Sequence, residues 1–267
     1  MAADTLVNAG VAPQLANALA EKAMSNEEEN IHVEAALPPD PHVVLPGGFL
    51  DPIEGLITTA EVRELTGADE EAISKLNDIG KSLLLILDRA VTKLGSIEPE
   101  DGMLDQMLAG DRETLLLKVR MMTFGSDVSF PGPCPSCGEK QTWDVDLVSD
   151  VPIRKLKGDS TFSMKCKIGE VVVSLPTGNT QKEIVNSVNK TSAEIDTIVL
   201  KSCIRSINGA PVLGLETVRS LSIKDRRDIL NAITNREPGP QLGDVKKACI
   251  ACGVEVPLPL TLAELFW

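Results

Sequence analysis

Two short stretches, PCPSCGEK at residues 133–140 and ACIACGVE at 248–255, hold four of the six cysteines of this chain, and 111 residues separate Cys137 from Cys249. A C-x-x-C-G turn is a metal knuckle. The tight turn brings both thiolates to one side, and the glycine takes a left-handed conformation that other residues resist. The usual four-cysteine pattern leaves about 15–20 residues between its knuckles. If these two knuckles share a metal, the last part of the chain must return to its middle. The loop closed in this way is domain-sized, and its entropic cost grows only slowly with length.

The remaining composition favours metal over disulfide. The first 30 residues lack a basic start and a long apolar run, so the expectation is a soluble, cytosolic product, and paired cysteines in a reducing compartment are metal ligands first. Four thiolates complete a tetrahedral zinc shell with no position left for water, which makes the site structural. The expected ligands are Cys134, Cys137, Cys249 and Cys252. Cys166, in a strand, and Cys203, on the apolar face of a helix, read as small buried hydrophobes. With no tyrosine, two tryptophans and five phenylalanines, the core must be largely aliphatic.

A net charge of −13 weighs against nucleic-acid binding, which needs a basic surface. IRKLK at 153–157 is the one compact basic stretch and reads as a solvated strand edge. The longest strongly apolar run, Leu83 to Leu87, is far too short to span a bilayer. No nucleophile elbow, phosphate loop or zinc-protease motif is present, and the two histidines are His32 and His42. The expectation is therefore a protein that is not an enzyme. The acidic runs GDRE and KDRRD read as exposed helix starts, where capping explains them better than acid–base chemistry.

The pattern predicts an α+β chain with a helical N-terminal half, followed by a β-ribbon zinc module with a long mixed α/β insertion between its knuckles. Residues 1–55 read as an extended arm with a short helix over 13–29. The Pro- and Gly-rich run 36–52 reads as irregular linker laid on a neighbouring subunit. Residues 56–127 read as helical, with a helix pair in 58–95 and another in 103–125, the second pair broken at Gly110 and ended by Gly125. Residues 128–267 read as the zinc-stapled α+β region. It contains strand, knuckle and strand over 128–148, a hairpin around Ile168–Gly169, helix over 179–209 and a last helix over 222–236. VRELTGADEEAI (62–73) echoes VRSLSIKDRRDI (218–229), and GDRETLL (110–116) echoes KDRRDIL (224–230). The simpler reading is one capping solution used three times, with an ancient duplication as the alternative.

VVLPGGF, then TAEVRELTGADEEAI, then GDRETLLLKVRMMTFG running into CPSCGEK, and a second knuckle before the ending LAELFW form a recognisable combination. From about Val43 onward the chain resembles zinc-ribbon proteins encoded in tail gene clusters of contractile-tailed bacteriophages, of the T-even-type baseplate hub and hub-assembly family. The resemblance implies a virion tail-baseplate protein, made in the host cytoplasm and bound to other tail proteins in multiple copies of a symmetric assembly. It has no expected nucleic-acid or membrane partner. Assembly chaperone and, less favoured, zinc-ribbon regulator of nucleic acid or polymerase are the alternatives. Leu265, Phe266 and Trp267, with Leu262, form an apolar tip that could anchor a partner or fold back on the chain.

Overall fold

The computed structural model describes residues 40–187, 189–212 and 214–267. The helix expected at 13–29 and His32 lie outside them.

The first described element is a strand where the sequence predicts irregular linker. His42–Asp51 (β1) pairs antiparallel with Gly55–Val62 (β2), and Val91–Leu94 (β3) pairs with the other edge of β2. Val43, Leu45 and Phe49 point inward while Val44 and Leu50 point out, the period of a half-buried strand. The proline and glycines do not prevent pairing, because Pro46, Gly47 and Gly48 occupy a register break between Val44 and Phe49. There the ladder is already interrupted, and Gly48 takes a φ of 76°. The N-terminal half is thus mixed rather than helical. Between β2 and β3 run two helices, Gly67–Ile73 and Ile79–Ala90. Thr66 and Asp69 form a capping box at the first, and Asp78 caps the second by accepting from Lys81 N.

A short helix, Met103–Gln106, precedes the long helix Ala109–Phe124. The break falls at Met107–Leu108, not at Gly110, which lies inside the first turn of the long helix. Apolar residues surround this helix instead of forming one stripe, as suits an interior position. Leu115, Leu116 and Val119 join the core of the first sheet, and Leu117 joins a separate cluster with Val145, Leu147, Val245 and Leu260. Gly125, at a φ of 85°, ends the helix.

The knuckle hairpin follows: Asp127–Pro133 (β4) pairs in unbroken register with Lys140–Asp146 (β5). The chain then forms a short strand Ile153–Arg154 (β6) and a second sheet. Thr161–Cys166 (β7) and Gly169–Ser174 (β8) form the hairpin expected around Ile168–Gly169, and Ile204–Ile207 (β9) and Ala210–Pro211 (β10) extend it. The segment expected to be helix over 179–209 is two helices, Gly178–Val185 and Ser192–Cys203, and then β9. Helices Leu215–Arg219 and Ile223–Arg236 lead to Gly239–Pro240 (β11), which pairs with β6. The second knuckle hairpin, Lys246–Ala248 (β12) with Glu255–Pro257 (β13), and a last helix Leu262–Phe266 complete the chain.

The acidic helix starts are buried, contrary to the expectation of exposure. Asp111, Arg112 and Asp225 are each at most 2% exposed. Each carboxylate is tied to a hairpin: Asp111 Oδ1 accepts from Gly47 N, and Asp225 Oδ1 accepts from Lys167 N, both at 2.7 Å.

Candidate metal centre

Each knuckle is a turn held by two backbone hydrogen bonds. Cys134 N donates to Glu139 O at 2.8 Å and Gly138 N to Cys134 O at 2.9 Å; Cys249 N donates to Val254 O at 2.9 Å and Gly253 N to Cys249 O at 2.8 Å. Gly138 and Gly253 take φ values of 76° and 71°, the left-handed conformation that the motif's glycine supplies. The strands flanking each turn fix its direction, and the fold brings the two turns face to face.

The sulfur atoms of Cys134, Cys137, Cys249 and Cys252 all lie within 4.8 Å of one another. Across the turns, Cys134 Sγ is 3.9 Å from Cys252 Sγ and Cys137 Sγ is 3.8 Å from Cys249 Sγ. Thiolates about 2.3 Å from a tetrahedral zinc ion stand about 3.8 Å apart. The spacing therefore fits one ion among four sulfurs. Cys134 and Cys249 are buried, while Cys137 and Cys252 are exposed. A small apolar skirt covers the inner pair: Trp143 and Val256 are buried against them, with Phe130 and Leu258 beside.

The four thiols act on one another. The Cys137 backbone amide, with that of Ser136, draws the Cys134 thiol down to about 7. Cys137 receives a favourable bond from the Glu139 amide, yet desolvation and the neighbouring sulfurs of Cys252, Cys134 and Cys249 push its thiol up to about 12. A divalent ion held among them would let all four ionise. Gln141 adds a link that the motif does not announce. It sits on β5 of the first knuckle, and its Oε1 accepts from Ile250 N of the second at 3.2 Å.

The other sequence candidates lie elsewhere. Cys203 is fully buried at the end of its helix, where burial pushes its thiol up to about 12, and Cys166 lies half-buried on β7. His42 lies on β1, with Nδ1 2.7 Å from Asp40 Oδ1. The C-terminal tip divides. Leu265 is not a surface anchor: it is buried in the cluster beside Leu117, and its carbonyl accepts from Arg120 Nε at 2.9 Å. Phe266 folds back edge-on to Phe124, with ring centroids 6.5 Å apart. Trp267 alone stays 57% exposed, at the rim of a cleft of about 440 Å³ bordered by Leu65, Glu70, Ile73 and Phe124.

No curated protein and no solved structure matches the chain. The family described as T4 bacteriophage base plate protein matches residues 56–267, from the second strand through both knuckles to the last residue. The chain belongs to this family of phage baseplate proteins.

Proposed function

We propose that this protein is a structural part of the hub or wedge region of a contractile-tail baseplate, acting by binding its neighbours, with one zinc ion held by Cys134, Cys137, Cys249 and Cys252. The family match over residues 56–267 supports the place, and the four-sulfur cluster carries the mode of action. A tetrahedral shell of thiolates suits zinc and leaves no open position for substrate, so the ion would serve shape and not chemistry. The acidic surface suits basic partners, because complementary fields guide encounter and suppress wrong pairings. Trp267 is the part of the tip that remains able to insert into a partner.

Quantitative mass spectrometry of purified particles tests the reading. A fixed number of copies per particle, in a multiple set by tail symmetry, is the expected result. Absence from finished particles together with presence in assembly intermediates would replace the structural role with that of an assembly chaperone. Elemental analysis should return about one zinc per chain, as a single closed shell requires. Iron in the same shell would keep the geometry and change the metal.

A further inference from the structure

The order of elements repeats. A hairpin (β1–β2), two helices, a strand (β3), a short helix, a long helix and a knuckle hairpin (β4–β5) make up the first series. A hairpin (β7–β8), two helices, a strand (β9), a short helix, a long helix and a knuckle hairpin (β12–β13) make up the second, which adds the two-residue strands β10 and β11 and a 3-10 turn at Leu242–Asp244.

The agreement extends to single residues. In the first sheet Ala60, Glu61 and Val62 pair with Leu94, Lys93 and Val91; in the second, Val171, Val172 and Val173 pair with Ile207, Ser206 and Ile204. Both ladders skip one residue at the same step. Thr66 and Thr177 each begin a helix with a capping box. Ile79–Ala90 and Ser192–Cys203, 12 residues each, both run straight into a four-residue strand. Leu94 bridges Ile97 as Ile207 pairs with Ala210, around left-handed Gly95 and Asn208. Asp111 and Asp225 occupy the same helical turn and make the same 2.7 Å bond to their own hairpins. Gly125 and Gly239 follow the long helices, both with positive φ. From β2 and β8 onward the separation of equivalent residues drifts only from 111 at Thr66 and Thr177 to 115 at Cys134 and Cys249, while the strands before them, β1 and β7, differ in length and register. In this frame the echo between 110–116 and 224–230 is a true correspondence, and the echo between 62–73 and 218–229 is out of register.

We infer that the chain is two fused copies of one folding unit, and that the metal ties their knuckles together, each copy supplying one, across an interface where side chains also pack. The inference rests on the metal reading proposed above. It explains the separation of the knuckles: the intervening length is one copy, not an insertion. It also explains where the copies differ. Ser222 caps the second long helix, and its hydroxyl donates to Asp225 Oδ2 at 2.9 Å. Its counterpart is Leu108, which packs into the core of the second copy and leaves the buried Asp111 Oδ2 without a hydrogen-bond partner. Arg226 donates to Ala193 and Thr197 within its own copy, whereas Arg112, its counterpart, reaches Gln181 of the other copy at 2.8 Å. Arg112 also donates to Leu104 O at 2.6 Å within its own copy, so at these positions the first copy has added contact with the second to bonding of its own.

The test cuts the folded full-length chain. A protease site placed between Gly158 and Asp159, in the exposed segment joining the copies, gives fragments 1–158 and 159–267 after cleavage. Metal content of the uncut protein is measured first; absence of metal overturns the metal reading, and the joint with it. With metal bound, the nicked protein should elute as one species at micromolar concentration, and chelation should lower the urea concentration at which the fragments separate. Restored zinc should raise it again. A separation midpoint unchanged by complete metal removal, or separation without urea while the metal is still bound, overturns the joint and leaves the metal reading intact. Circular dichroism of the chelated protein before urea is added guards against mistaking unfolding for release: helical signal should be retained, and its loss on chelation would show that the metal holds each copy folded rather than joining two.

Discussion

Gly110, in the first turn of the long helix, and Gly239, just beyond the second long helix, meet backbone to backbone. A Cβ on Gly239 would stand 2.6 Å from Gly110 O, and one on Gly110 would collide with the Pro238 carbonyl. Gly239 also holds a φ of 114°, which other residues resist.

Replacement of Gly110 by alanine should therefore destabilise the chain by about 3 kcal/mol or prevent folding, since backbone cannot withdraw as a side chain can. Gly243→Ala is the control. Nothing lies within 4 Å of a Cβ there, and the change should stay within about 0.5 kcal/mol. Chemical denaturation of the two variants measures the difference, and equal midpoints would show that the contact at Gly110 is looser than described.

Cys137→Ser together with Cys252→Ser should abolish stoichiometric zinc, because the two remaining thiolates cannot close the shell. The variant should also lose several kcal/mol of stability, since metal binding is coupled to folding. Cys166→Ala and Cys203→Ala should leave metal content unchanged. Retention of one zinc per chain by the double variant in elemental analysis would disprove the shell.

Stability of the metal-free chain should peak near pH 4–5 and decline toward neutrality. Burial pushes the Asp111 carboxyl up to about 6 and those of Glu113 and Glu237 up to about 7; Glu237 adds like charge to Glu113, and Arg154 moderates Glu237. A carboxyl that holds its proton more tightly when folded favours the fold at low pH. As pH rises from about 4 to 7 the unfolded chain ionises first, and that contribution is lost. Asp111 alone is worth about 3 kcal/mol across its part of that window. Asp69 acts in the opposite direction: Arg63 holds its carboxyl well below the usual range, against the cost of burial, with help from Thr66 and Arg89. Its contribution is present above about pH 4 and lost as the solution becomes more acid. Urea unfolding across pH 3–8 measures the profile, and Asp111→Asn should flatten the fall between pH 4 and 6.

Removal of Trp267 should leave the melting temperature within a few degrees while weakening incorporation into particles, because the ring is largely exposed. Phe266→Ala should instead cost about 2 kcal/mol of stability, because that ring packs on the first core. Calorimetry together with particle composition separates the two effects. Normal incorporation of the Trp267-truncated chain would remove the anchor.

The clustering of Cys134, Cys137, Cys249 and Cys252 is legible because knuckle chemistry is local: two residues, a short turn and a glycine state each half of it. The first hairpin was not, because proline and glycine in PGGF mark a break in a ladder as readily as the absence of one, and the partner strand Gly55–Val62 lies in a stretch read as helical. The burial of Asp111 and Asp225 was hidden for a similar reason. An acidic first turn looks the same whether water or a hairpin amide satisfies it, and the amides of Gly47 and Lys167 lie 64 and 58 residues away in sequence. The correspondence between the two series of elements was faint in sequence, since the shared features are ladder steps and caps that different residues can build.

The 115-residue separation of equivalent cysteines also sets an order in time. Hairpins, capped helices and knuckle turns form from neighbours in the chain, but an ion would join sulfurs that must find each other across the length of a copy. Contacts between distant segments form slowly because the chain pays for closing the loop before the contact rewards it. The ion would then be acquired last, after each copy has its own shape. Were a metal scarce, the chain would halt at that final step, with both knuckles shaped but not yet tied to each other.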